Sequence, residues 1–233
     1  MKAGKKCIVD TSCSFAADIL TKHGFELIGV IGSDRVSSPI SRHADVLYNR
    51  ISDDEIIISD CQRANKELLE AAGYKVIIYE DLQPGYSTEC RLNFIVNDKY
   101  LIHNPNTSIV REYPELLNGR TEITVRQGYT RCSILQLNED AYITSDEGIF
   151  KALKNRGIDC YYFNNREIRL EGYDCGFIGG STARIDRNRI LMFGDISDKT
   201  SKKLFQDYCY SHGLELEFVE GIPVTDIGSA LII

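Results

Sequence analysis

Histidine is scarce in this chain, with four among 233 residues, and no two of its eight cysteines stand in a C-x-x-C pair. Structural zinc sites draw on tightly spaced Cys and His ligands, so no metal site is expected. No run of about 18 apolar residues occurs, which leaves nothing to cross a membrane as a helix. The opening residues, Met1-Lys-Ala-Gly-Lys-Lys-Cys-Ile, carry positive charge but reach Asp10 too soon. A secretory leader needs an apolar core of about 7–15 residues first. Positive charge is neither in excess nor clustered: 27 Lys and Arg face 34 Asp and Glu, a net charge of -7. A nucleic-acid backbone is therefore not the expected partner. The expectation is a cytoplasmic protein whose thiols are reduced and mostly pack as small hydrophobes.

What the chain does contain is one phrase written five times. An apolar strand ends in Asp or Asn, a helical stretch follows, then Gly, then a second apolar strand. The openings are Cys7-Ile-Val-Asp10, Ile57-Ile-Ser-Asp60, Leu101-Ile-His-Asn104, Ile143-Thr-Ser-Asp146 and Met192-Phe-Gly-Asp195. The closings start at Gly24, Gly73, Gly119, Gly157 and Gly213. Asp or Asn before a helix accepts free backbone N–H groups, and Gly after it takes the left-handed closing conformation. Stretches such as Gly148-Ile-Phe-Lys-Ala-Leu-Lys-Asn-Arg place apolar residues at helical spacing. Each helix is expected to cross between two parallel strands.

A third segment follows in each unit, with a small residue expected to start its strand: Ala44, Cys90, Cys132, Ser181 and Ser229. Small residues at matching places suggest a crowded centre. The fold class is therefore α/β, a closed ring of five strand-helix-strand repeats with strands inside and helices outside. One domain spans 1–233, with approximate repeats 1–52, 53–97, 98–138, 139–186 and 187–233. The apolar end, Ile227-Gly-Ser-Ala-Leu-Ile-Ile233, would be covered by ring closure but not by an open solenoid.

This repeat, with Gly-rich third segments such as Gly176-Phe-Ile-Gly-Gly-Ser-Thr and Thr225-Asp-Ile-Gly-Ser-Ala, resembles the pentein fold of the guanidine-modifying enzymes. The resemblance covers the whole chain and is nearest to an uncharacterised bacterial branch. It implies arginine deiminase- or amidinotransferase-like chemistry, in which a Cys attacks a guanidinium carbon with help from His and carboxylates. It equally allows a non-catalytic role, since a ribosome anti-association factor shares the fold. The family Cys falls on the third strand of the last repeat, where this chain reads Ile227-Gly228-Ser229-Ala230. The family His falls on the corresponding strand of an earlier repeat, and repeat four reads Gly180-Ser181-Thr182. The usual nucleophile and base are thus missing from their usual places, and Ser229 has no base nearby in sequence to activate it.

Unusual residues collect in repeats one to three instead. His43-Ala44-Asp45 is the one His-x-Asp in the chain, and strand alternation would put both side chains on one face. Combined with Cys90 or Cys132 it would make a relocated Cys–His site. The competing reading makes both cysteines packing residues and His43 a hydrogen-bonded rim residue. Asp10, Asp60, Asn104, Asp146 and Asp195 occupy equivalent strand ends, and Asp226 precedes the last third strand. Together they are candidate contacts for a small cationic, guanidine-like ligand, because a carboxylate can pair a guanidinium through two bonds. The competing reading makes the strand-end residues helix caps and Asp226 a turn residue. Arg42, Arg131 and Arg184 flank third segments and would pair with the acidic ring or bind an anionic group, pairing being preferred. Gly176 to Thr182 lacks the Lys of a phosphate loop and reads as close backbone approach. His103 is a weaker cavity candidate, and His23 and His212 stand at helix ends as structural residues.

Two functions stay open. One is a binding protein that uses the central cavity or the ring surface, without the standard triad and without a cofactor. The other is a divergent Cys-dependent, amidinotransferase- or deiminase-like hydrolase with a relocated site. A monomer or homodimer is expected.

Overall fold

The computed structural model describes residues 5–233, the side chain of Asn165 aside. Met1 to Gly4, part of the leader reading, lie outside the described residues. The first and second strands of the five phrases pair in parallel: β1 (Lys6–Val9) with β2 (Glu26–Gly29), β4 (Glu55–Ser59) with β5 (Lys75–Tyr79), β7 (Tyr100–His103) with β8 (Thr121–Thr124), β10 (Ala141–Thr144) with β11 (Asp159–Tyr162), and β13 (Arg189–Met192) with β14 (Glu215–Phe218). The third strands are β3 (Tyr48–Arg50), β6 (Ile95–Val96), β9 (Ile134–Gln136), β12 (Thr182–Arg184) and β15 (Leu231–Ile232). Each of the first four pairs antiparallel with the first strand of the next phrase, through a short hairpin. The last, β15, returns to β1, with Cys7 opposite Ile232. The result is five three-stranded sheets in which a first strand always lies in the middle.

That central place explains the apolar runs. A middle strand covered on both faces gains from burying every side chain, so it reads without alternation. Ile56, Ile57 and Ile58 are all fully buried, as are Cys7, Ile8 and Val9, and Ile190, Leu191 and Met192. The second strands are edges and keep a polar face, as in Glu215-Leu-Glu-Phe.

Crossover helices seat one apolar pair, four residues apart, against the sheet. Helix α1 (Ser14–Lys22) buries Ala16 and Leu20. Two helical turns, α2 (Ala44–Leu47) and α4 (Tyr86–Glu89), belong to third segments, and α3 (Lys66–Ala71) is a short crossover. Helix α5 (Glu147–Lys154) buries Ile149 and Leu153, and α6 (Lys199–Ser211) buries Phe205 and Cys209. The third phrase departs from the expected helix. It crosses through two 3-10 turns, Ile109–Arg111 and Pro114–Leu117. Pro114 disfavours helical backbone at Tyr113 and cannot donate an N–H, so no α-helix runs through. The third segments also differ from expectation. Ala44 opens a helical turn, Cys90 follows one, and Cys132, Ser181 and Ser229 precede their strands by one or two residues. A turn must first swing the chain inward before it can pair.

Candidate functional site

The hairpin ends of the sheets surround a cavity of about 830 Å³. Its lining includes Asp45, Arg50, Arg120, Arg131, Arg184 and Ser229. Asp45 lies in the first turn of α2 with 1 % of its surface exposed, and neither carboxylate oxygen has a hydrogen-bond partner. A buried acceptor of this kind costs stability unless something pairs with it. Among the candidates it is the one most plainly built to receive a donor.

His43 precedes the same turn with extended backbone, so helix geometry, and not strand alternation, sets the His43–Asp45 relation. His43 Nδ1 lies 3.9 Å from Asp45 Oδ1 and 3.8 Å from Asp226 Oδ1, between two carboxylates and bonded to neither. Asp226 is itself tied down: Phe177 N–H donates to it at 2.8 Å and Gly228 N–H at 3.0 Å. Burial pushes the Asp226 carboxyl up, His43 opposes that shift, and the Asp45 charge adds to it. Glycine makes this crowding possible. A Cβ on Gly180 would sit 2.0 Å from Asp226 Oδ1, and one on Gly228 2.3 Å from His43 Cγ. The Gly-rich segments are thus the close backbone approach expected of them.

The two cysteines fare differently. Cys90 donates to Tyr86 O, and burial, with the Glu89 charge adding, pushes its thiol up to about 12. Cys132 sits nearer the cluster. Asn93 Nδ2 reaches its sulfur at 2.9 Å and Asp45 O at 3.0 Å, while Asn93 Oδ1 accepts from Arg131 and Cys132 N–H. Burial holds the Cys132 thiol well above its ordinary range, and the charges of Asp45 and Asp226 add to that. Among the described residues no hydrogen bond joins His43 to either thiol. Ser229, at the family Cys position, donates its hydroxyl to Thr182 O at 2.8 Å and holds a left-handed φ of 63°. That backbone is uncommon for a residue with a side chain and points to local over-determination.

The strand-end residues lie at the opposite end of the sheets. Asp146 caps α5 by accepting from Ile149 N–H at 2.8 Å. Asp10 accepts from Ser12 N–H and Oγ. Asp60 accepts from Cys61 N–H and pairs with Arg35 at 3.3 Å. Asn104 accepts from Asn106 N–H and donates to Arg126 O. Asp195 pairs with Lys202 at 2.5 Å, and the cap of α6 passes to Asp198. Only Asp146 is an α-helix cap, because short turns separate the other aspartates from their helices and the phrase after Asn104 has no α-helix, but all five already have partners.

The flanking arginines do not pair with these acids. Arg42, Arg131 and Arg184 donate to the carbonyls of Val30, Tyr48 and Leu137. His103 is held by Ser108 and Glu122, His23 by Glu217 and His212 by Asp159. Asn93 and Arg50 escaped the sequence reading. Asn93 left one trace, an amide inside the apolar run Leu92-Asn-Phe-Ile, where a buried polar group needs a specific partner.

Structural comparison shows the same fold in guanidine-modifying enzymes. A dimethylarginine dimethylaminohydrolase from Pseudomonas aeruginosa, bound to citrulline, is 12% identical, with a TM-score of 0.55 over 99% of both chains. An amidinotransferase of saxitoxin biosynthesis from Microseira wollei is 10% identical, with a TM-score of 0.58 over 97% of this chain and 90% of that one. The agmatine deiminase of C. jejuni is 8% identical, with a TM-score of 0.55 over 93% of this chain and 88% of that one. No curated protein matches in sequence. A family model matches residues 8–231, and the chain belongs to that family of unknown function, DUF6873.

Proposed function

We propose that this chain is a closed five-sheet ring whose hairpin-end cavity binds a small guanidine-like cation through Asp45, without a covalent step. Ring closure is supported by β15 pairing with β1, which brings both chain ends into one sheet. The cation reading rests on one observation: a carboxylate 1 % exposed, lining a cavity, with no hydrogen bond to either oxygen and His43 Nδ1 3.9 Å from Oδ1. Two coplanar acceptors match the parallel N–H donors of a guanidinium. Structural relatives support the ligand class, since one of them holds citrulline and another is an agmatine deiminase. No disulfide forms among the described residues, which suits a reducing compartment, and we place the protein in the cytoplasm.

The alternative is a divergent hydrolase that uses Cys132. Its thiol lies beside Asn93 and Asp45, but buried next to two carboxylates it resists becoming the thiolate that a nucleophile requires. His43 makes no hydrogen bond to it, so the base is also wanting. Calorimetric titration with agmatine separates the two readings. Saturable binding is expected, weakened at least about tenfold in Asp45→Asn, with no release of ammonia or urea. Equal binding by wild type and Asp45→Asn would sink the cation site. Ammonia release that Cys132→Ser abolishes would establish the hydrolase instead.

A further inference from the structure

Behind Asp45 stand two more buried ionisable groups, neither of them part of the cavity lining. His43 Nδ1 lies 3.9 Å from Asp45 Oδ1 and 3.8 Å from Asp226 Oδ1, so one imidazole faces both carboxylates. The backbone links the two acids as well. Asp45 N–H donates to Gly228 O at 3.0 Å, and Gly228 N–H donates to Asp226 Oδ1 at 3.0 Å. Glycine backbone packs directly on the group, since a Cβ on Gly228 would meet His43 Cγ at 2.3 Å and one on Gly180 would meet Asp226 Oδ1 at 2.0 Å. A charge placed on Asp45 therefore acts on Asp226 through packed protein, where screening is weaker than in water.

The charge state of Asp226 depends on this neighbourhood. Burial raises its carboxyl to about 6; the Asp45 charge adds to the rise, while His43 and the N–H groups of Phe177 and Gly228 oppose it. A cation seated on Asp45 offsets the Asp45 charge and repels a proton held nearby, so Asp226 ionises more readily in the occupied protein. The other ionisable groups facing these acids are Arg131 and Cys132 beside Asp45, and Cys132 and Cys175 beside Asp226. Arg131 keeps its charge and burial raises both thiols, so none of the three changes state near pH 6.

We propose that the site exchanges its cation for a proton: a guanidine-like cation arriving at Asp45 expels the proton held by Asp226, with His43 between them. This regulation rests on the cation reading of Asp45. The O–H bond of Asp226 breaks and its proton passes to the buffer, with no other bond made or broken. Because the occupied protein holds fewer protons, affinity is greatest above the raised titration of Asp226 and falls as pH drops through it. Agmatine keeps both of its charges between about pH 5 and 8, so any proton released comes from the protein. Calorimetric titration in two buffers of unlike ionisation heat counts these protons. Release of a large fraction of one proton per agmatine is expected near pH 6 and should fade by pH 8, with affinity about three- to tenfold higher at pH 8 than at pH 5. Asp226→Asn should cut the release and flatten the profile, whereas a profile set by Asp45 alone would survive that variant. Carboxyl-carbon NMR of wild type gives a reading that needs no variant to fold: the Asp226 midpoint should fall when agmatine is added. Agmatine binding without proton release, release equal in wild type and Asp226→Asn, or an Asp226 midpoint that agmatine does not move would each overturn the exchange and leave the cation site standing. No agmatine binding at any pH in this range would remove the cation site, and the exchange with it.

Discussion

The two ends of the sheets treat their polar groups in opposite ways. At the helix-start end, Asp10, Asp60, Asn104, Asp146 and Asp195 all have partners, whether a backbone N–H, a serine hydroxyl or a cation. At the hairpin end, Asp45 has no hydrogen bond, His43 faces two carboxylates at 3.9 and 3.8 Å without a hydrogen bond to either, and Arg131 donates to a backbone carbonyl. Aspartate stands at both ends. The difference is whether the fold itself completes their bonding. Groups that a fold leaves incomplete at a stability cost are the ones to suspect of meeting a ligand.

The largest expected effect tests whether the backbone around His43 is as tightly built as its glycines imply. Gly228 has φ of 74° and would place a Cβ 2.3 Å from His43 Cγ. Gly24 has φ of 82° and open space around it. Both substitutions to Ala carry the left-handed penalty, but only the first adds a clash. Urea denaturation should show Gly228→Ala losing about 2–4 kcal/mol and Gly24→Ala about 1 kcal/mol. Equal losses would mean that the backbone around His43 relaxes freely and that the His43–Asp226 arrangement is not enforced.

How much of this could be read from sequence follows from distance along the chain. The five strand openings and their closing glycines depend on local patterns, and they fall where the repeat puts them. The missing third helix depended on Pro114, a local signal that the repeat pattern outweighed. Third-segment strands were placed too early because an apolar run does not show where a turn ends. The residues His43, Asp45, Cys132 and Asp226 were visible as departures from the repeat. Their separate states were not. Asp45 accepts no hydrogen bond while Asp226 is held by Phe177, 49 residues away, and Arg131 is anchored to Tyr48, 83 residues away. No local pattern reports such contacts, and Arg50 drew no notice without them.

A middle-sized effect sets the two ends against each other directly. Asp146→Ala removes a cap and should cost about 1 kcal/mol, with agmatine binding unchanged. Asp45→Asn removes a charge that has no hydrogen-bond partner, so stability should hold or rise by up to about 1 kcal/mol while binding falls. Thermal and urea unfolding of both variants, beside their agmatine isotherms, gives all four values. Should Asp45→Asn lose as much stability as Asp146→Ala, Asp45 is a structural residue and the contrast between the ends collapses.

The smallest effect is kinetic and concerns thiols. Cys13, Cys61 and Cys175 are partly exposed, whereas Cys7, Cys90, Cys132, Cys160 and Cys209 are buried. Burial raises the thiols of Cys7, Cys90, Cys160 and Cys209 to about 12 and holds that of Cys132 well above its ordinary range. Alkylation requires a thiolate and access to it, so the buried set should react only through opening of the fold. Iodoacetamide at neutral pH, followed by peptide mass mapping, should label the three partly exposed cysteines first and leave Cys90 and Cys132 among the slow ones. A ligand cation beside Asp45 would offset one of the two charges that oppose Cys132 ionisation, so the same mapping is repeated with agmatine present. If Cys132 then overtakes Cys13, Cys61 and Cys175, the axis can generate a nucleophile after all, and the hairpin-end cavity would have to be regarded as catalytic.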